Sequence, residues 1–100
     1  MNRPAHISID LSDINTARQL HAALAAALAF PAFYGMNWDA FWDAITGLVE
    51  MPQQLQFTAW QALEERLPRD AAILQRILAR MAREMPDAAA HVHYMQSRNA

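Results

Sequence analysis

With 100 residues and no cysteine, the chain has the size of one domain and lacks a disulfide framework and a thiolate nucleophile, while its formal net charge of −2 is too small to point to a class of partner. Hydrophobic residues make up 54% and charged residues 18%, enough apolar surface to offset chain entropy and exclude intrinsic disorder. The longest apolar stretch, Leu20 to Pro31, contains His21 and falls short of the roughly 20 residues that span a bilayer.

In chain order, His6 to Leu11 alternates, with Ile7, Ile9 and Leu11 on one face, and predicts a short strand. Ser12 or Asp13 then caps a helix running to about Ala29, in which Ile14, Ala17, Leu20, Leu24 and Leu28 recur at helical spacing. Pro31 stops it. Phe33 to Met36 is a loop in which Gly35 can adopt backbone angles closed to other residues, and Asn37 caps a second helix over Trp38 to Thr46, with Gly47 placed to end it. Gln54 to Phe57 predicts a strand, and Thr58 caps a short helix, Ala59 to Leu67, ending at Pro68. Asp70 caps a longer helix to about Glu84, with Ile73, Leu74, Ile77, Leu78 and Met81 inward and Pro86 closing it. His91 to Met95 is the last strand, and Gln96 to Ala100 a loose tail.

Helical connections between strands imply parallel pairing, because parallel neighbours need long crossovers. The expected architecture is a single α/β domain over residues 1–100, with a small three-stranded parallel sheet packed with about four helices. The acidic strand and turn ahead of the apolar run do not read as a secretory signal, and the absence of cysteine fits a reducing compartment, so the expected location is cytoplasmic.

The charges are unevenly placed. From Phe30 to Pro52 the chain carries Asp39, Asp43 and Glu50 with no Lys, Arg or His, whereas Gln53 to Ala100 holds five acids and six arginines. On a helical wheel of Trp38 to Leu48, Ala40, Phe41, Ala44 and Ile45 form the core face, Asp39, Asp43 and Thr46 the opposite side, and Trp38 and Trp42 the border. Two carboxylates one turn apart repel by a few tenths of a kcal/mol, with no base on this helix to relieve them. Asp39, near the helix start, gains from the dipole, and tryptophans at this spacing also serve as core residues. Asp43 lies a turn deeper, where that benefit fades. An acidic pair edged by tryptophans and preceded by Phe33 and Tyr34 suits the binding of arginine, lysine or histidinium on a partner.

The stretch Phe30 to Pro52, FPAFYGMNWDAFWDAITGLVEMP, resembles the central segment of the barstar family, intracellular inhibitors of the ribonuclease barnase. Pro31, Tyr34, Gly35, Asn37, Asp39, Ala40, Trp42, Asp43, Ala44, Thr46, Gly47, Val49, Glu50 and Pro52 match its pattern. The resemblance implies that loop and helix enter a ribonuclease active site, with Asp39 and Asp43 standing in for RNA phosphates and Asp43 the dominant acid. Gly35, Asn37, Trp38, Trp42, Thr46 and Gly47 would surround them, Phe33 would stack near the catalytic histidine, and Tyr34 and Glu50 would complete the surface. It further implies a monomer forming a 1:1 complex with a secreted guanyl-preferring ribonuclease or related cationic toxin domain, an immunity or antitoxin role, and no cofactor. The chain departs from the family's reference member at Phe33 and Leu48, where that member has a tyrosine and a tryptophan. It also carries Arg76, Arg80 and Arg83 in the late helix, from which that member draws an acid. An interaction module with a different cationic partner is therefore the alternative.

Three other readings fit the residues less well. An acid and base pair of Asp39 and Asp43 on one helix lacks a cleft, and a metal site of His91, His93 and His6 lacks a convincing third ligand, so no metal and no catalytic residue are assigned. Direct nucleic-acid binding fails on sign, since the aromatic residues are interleaved with acids.

Overall fold

The computed structural model describes residues 3–96, with the order β1 (His6–Asp10), α1 (Ala17–Leu28), α2 (Trp38–Gly47), β2 (Gln54–Thr58), α3 (Trp60–Arg66), α4 (Pro68–Glu84) and β3 (His91–Tyr94). Of the expected loose tail only Gln96 is described; the rest of that segment lies outside the described residues. The fold is α/β, with a three-stranded parallel sheet in the order β1-β2-β3.

Strand alternation sets the two faces of this sheet. Ile7, Leu55 and Val92 lie in register across it, as do Ile9, Phe57 and Tyr94, and these rows face the helices. Leu20, Leu24 and Leu28 of α1, Phe41 and Ile45 of α2, Trp60 and Leu63 of α3, and Leu74, Leu78 and Met81 of α4 close over them as one core. The other rows (His6, Gln54, His91; Ser8, Gln56, His93) are polar, and His93 Nε2 lies 2.7 Å from Gln54 Oε1.

Several expected boundaries move, each for a local reason. Asp10 accepts the Ser12 N–H at 2.9 Å and Ile14 N–H bonds the Leu11 carbonyl, so Ser12 and Asp13 turn the chain instead of capping a helix. The cap is Thr16, whose hydroxyl accepts the Gln19 N–H at 3.1 Å while the Gln19 side chain accepts the Thr16 N–H at 3.2 Å, a reciprocal capping box. Thr58 is the last strand residue, and Ala59, at φ 58°, makes the corner into α3. Pro68 begins α4 at the position where a missing N–H costs nothing, which places Asp70 inside the first turn and frees its carboxylate for another role.

Arg3 joins three segments remote in sequence. Its guanidinium donates to the carbonyls of Met51 (2.8 Å), Pro52, Asp87 and Ala89 (3.0 Å each), tying the entry to β1 to the entries to β2 and β3. Carbonyls left without this donor would lose charge-assisted bonds. Arg3→Met should therefore lower the unfolding free energy by about 2 kcal/mol, measured by urea denaturation.

Candidate functional site

The loop before α2 and the outer face of α2 form the candidate site. Asn37 caps the helix as its sequence predicts, its Oδ1 accepting the Ala40 N–H at 2.7 Å. Phe41, Ala44 and Ile45 are fully buried. That burial fixes the helix about its own axis, and Asp39 and Asp43 consequently face solvent. Among the described residues neither carboxylate has a hydrogen-bond or ion-pair partner; the one ion pair there is Arg80 with Glu84 at 2.8 Å.

The glycines act differently from expectation. Neither has a positive φ; the left-handed residue of the loop is Met36, at φ 57°. A Cβ on Gly35 would stand 3.2 Å from Asn37 Nδ2 and 3.4 Å from Ala40 Cβ, so Gly35 allows the cap to fold close over the helix start. Gly47 is the last helical residue, and the end is closed by the Leu48 and Val49 N–H groups, both on the Ala44 carbonyl at 3.1 Å. Its surroundings are open.

The aromatic residues divide into two kinds. Phe33 is 75% exposed, a large apolar side chain offered to solvent from the loop before α2. Tyr34, Trp38 and Trp42 are half-buried. Trp38 donates its indole N–H to Asp70 of α4 at 3.0 Å and packs against the His21 ring at 4.3 Å between centroids. Trp42 carries the Arg80 guanidinium over its ring, 4.1 Å from the centroid. Thr46 donates to the Trp42 carbonyl at 2.6 Å, and Thr46 and Glu50 line a shallow depression with Arg3 and Asp87.

Behind the loop lies a residue that the sequence reading passed over. His21, on the apolar stripe of α1, is 3% exposed, and its Nδ1 is 2.7 Å from the Tyr34 hydroxyl, which also donates to the Asn37 carbonyl at 3.4 Å. Its position between Leu20 and Leu24 was the available signal, since a histidine on that stripe must turn inward. His21, Tyr34, Trp38 and Asp70 thus brace the loop from α1 and α4. Burial pushes the Tyr34 hydroxyl up to about 12. Burial also lowers His21 below 6.5, partly opposed by the Asp70 carboxylate.

His6, His91 and His93 stand exposed on the outer face of the sheet, and among the described residues no three His, Asp or Glu side chains group to hold a metal ion. No helix of the described residues is long and apolar enough to cross a membrane.

Residues 5–96 match the family model described as Barstar (barnase inhibitor). The chain belongs to the Barstar family. A curated relative from Bacillus subtilis (strain 168), named "Putative ribonuclease inhibitor YrdF", is 45% identical over 49 residues, a stretch covering 49% of this chain and 54% of the relative. The matched stretch thus spans about half of that protein's length.

Since the folded pKa of His21 lies below its unfolded value of 6.5, the unfolded chain takes up this proton first as pH falls. The neutral histidine's contribution is complete above about 6.5 and is lost as pH drops towards the folded value. Unfolding free energies at pH 7.5 and 5.5 should show this decline, and His21→Leu should show a smaller one.

Proposed function

We propose that this Barstar-family chain is a cytoplasmic, single-domain inhibitor that binds a secreted guanyl-preferring ribonuclease of the barnase type one to one and occludes its cationic active site. The observation that carries the reading is the pair of carboxylates, Asp39 and Asp43, without a partner among the described residues and held outward on a helix whose opposite face is fully buried. Unpaired carboxylates on a rigid helix are pre-organised for arginine, lysine or histidinium and need no rearrangement to meet them. The family match and the relative's name support a ribonuclease as the partner.

In this reading Asp43 enters the centre of the active site and Asp39 flanks it. Phe33 stacks on the partner, Tyr34, Gly35 and Asn37 shape the loop, and Trp38, Trp42, Thr46, Gly47 and Glu50 form the surrounding rim. The chain carries out no chemistry itself, and RNA is excluded because the acids occupy its place. Tight binding would come from desolvated charge pairs and rapid association from the opposite signs of the two surfaces.

Calorimetric titration against a purified barnase-type ribonuclease tests this. Asp43→Ala should lose about 2–5 kcal/mol of binding free energy, because the partner's cations are left buried and unpaired. Asp39→Ala and Trp42→Ala should lose less, and Glu64→Ala, on α3, nothing. Equal affinity for wild type and Asp43→Ala would refute the site. Ribonuclease turnover by the purified protein that Asp39→Ala abolishes would refute the inhibitor.

A further inference from the structure

The acids on α2 are only one half of the exposed surface around Trp42. On α4, Arg76, Arg80 and Arg83 line an open depression of about 480 Å³ together with Ile73, Ile77 and Ala79. Arg80 is placed by two contacts, stacking on Trp42 at 4.1 Å and pairing with Glu84 at 2.8 Å. Arg76 and Arg83 are exposed and, among the described residues, have no carboxylate partner. Ile73 and Ile77 are half-buried and give the depression an apolar floor under the arginine stems.

The arrangement about α2 makes the two charged surfaces neighbours. At about 100° per residue, Trp42 lies between the α4 side of α2 and the sector holding Asp39 and Asp43. Arginine row, tryptophan and acidic row therefore follow one another across a single face. Arginines with no partner, beside an apolar floor and next to a helix that receives a protein, are suited to bidentate pairing with carboxylates. A partner uniformly cationic around its active site would meet like charge here, which costs affinity and acts against that partner.

We propose that the Arg76–Arg80–Arg83 row is a specificity element that reads the edge of the partner's active site and selects ribonucleases carrying aspartate or glutamate there. This rests on the inhibitor reading above and adds to it the charge pattern of the partner. Its occupant is the same ribonuclease that receives Asp43, contacted through an acidic edge beside the cationic centre.

The test uses a panel of purified barnase-type secreted ribonucleases whose active-site edges range from basic to acidic, titrated with wild type, Arg76→Glu/Arg83→Glu, Arg76→Gln/Arg83→Gln and Asp43→Ala. Thermal melting of each variant confirms that it folds. Wild type should prefer the members with acidic edges. The double reversal should shift the ratio of affinities towards basic-edged members by roughly 100-fold or more, and the glutamine pair should fall between. Asp43→Ala should weaken every complex and leave the ratio unaltered. A ratio unchanged by the double reversal, or no binding of any member by wild type and reversal alike, would overturn the proposal. If the reversal shifts the ratio while Asp43→Ala weakens nothing, the arginine row stands and the acidic site is what fails.

Discussion

The burial of one face of α2 is the constraint on which the rest of the surface depends. Phe41, Ala44 and Ile45 are removed from water almost entirely, and each large apolar side chain so buried contributes on the order of 1.5–3 kcal/mol. A helix anchored in this way cannot rotate to shelter its acids. Trp38, bonded to Asp70 and packed on His21, holds the helix start against α4 and α1, while Arg80 covers Trp42 further along. Asp39 and Asp43 then have one direction left to them.

Retention of such an arrangement runs against local stability. Asp39 gains from the positive end of the helix, but Asp43 lies a turn further in and repels it. Arg80 of α4 reaches α2, but it lies over the Trp42 ring and pairs with Glu84 on its own helix. Tyr34 and His21 add a further polar pair beneath the loop, whose neutral forms burial favours. The molecule therefore spends packing energy to hold a loop and a helix rigid around charges that no described residue satisfies.

Much of this was legible in the sequence because it rests on periodicity and on short-range rules. Strand alternation placed Ile7, Ile9 and Leu11 on the face that packs on the core, helical spacing placed Phe41, Ala44 and Ile45 there, and the Asn37 cap was readable from its position. The start of α1 was misplaced because several polar residues competed for the cap, and those of α3 and α4 because Ala59 and Pro68, not a polar cap, open them. Ser12 and Asp13 preceded Thr16, and the choice depended on the reciprocal bond with Gln19 and on the turn that Asp10 makes. Gly35 was expected to take the special angles of its loop, yet the left-handed residue there is its neighbour Met36, and Ala29 and Ala59 take such angles elsewhere. Contacts of long sequence separation, such as Arg3 with Ala89 or Trp38 with Asp70, leave no periodic trace, and they brace both the sheet and the site.

The central claim is that Asp39 and Asp43 are kept for a partner at the expense of the free protein. Both properties can be read on one variant, Asp39→Asn/Asp43→Asn, by thermal unfolding alone and by titration with a purified barnase-type ribonuclease. The account predicts a melting temperature equal to or slightly above that of wild type, with the affinity for the ribonuclease severely reduced. A marked fall in melting temperature with affinity unchanged would contradict it and make the acids part of the fold's own support.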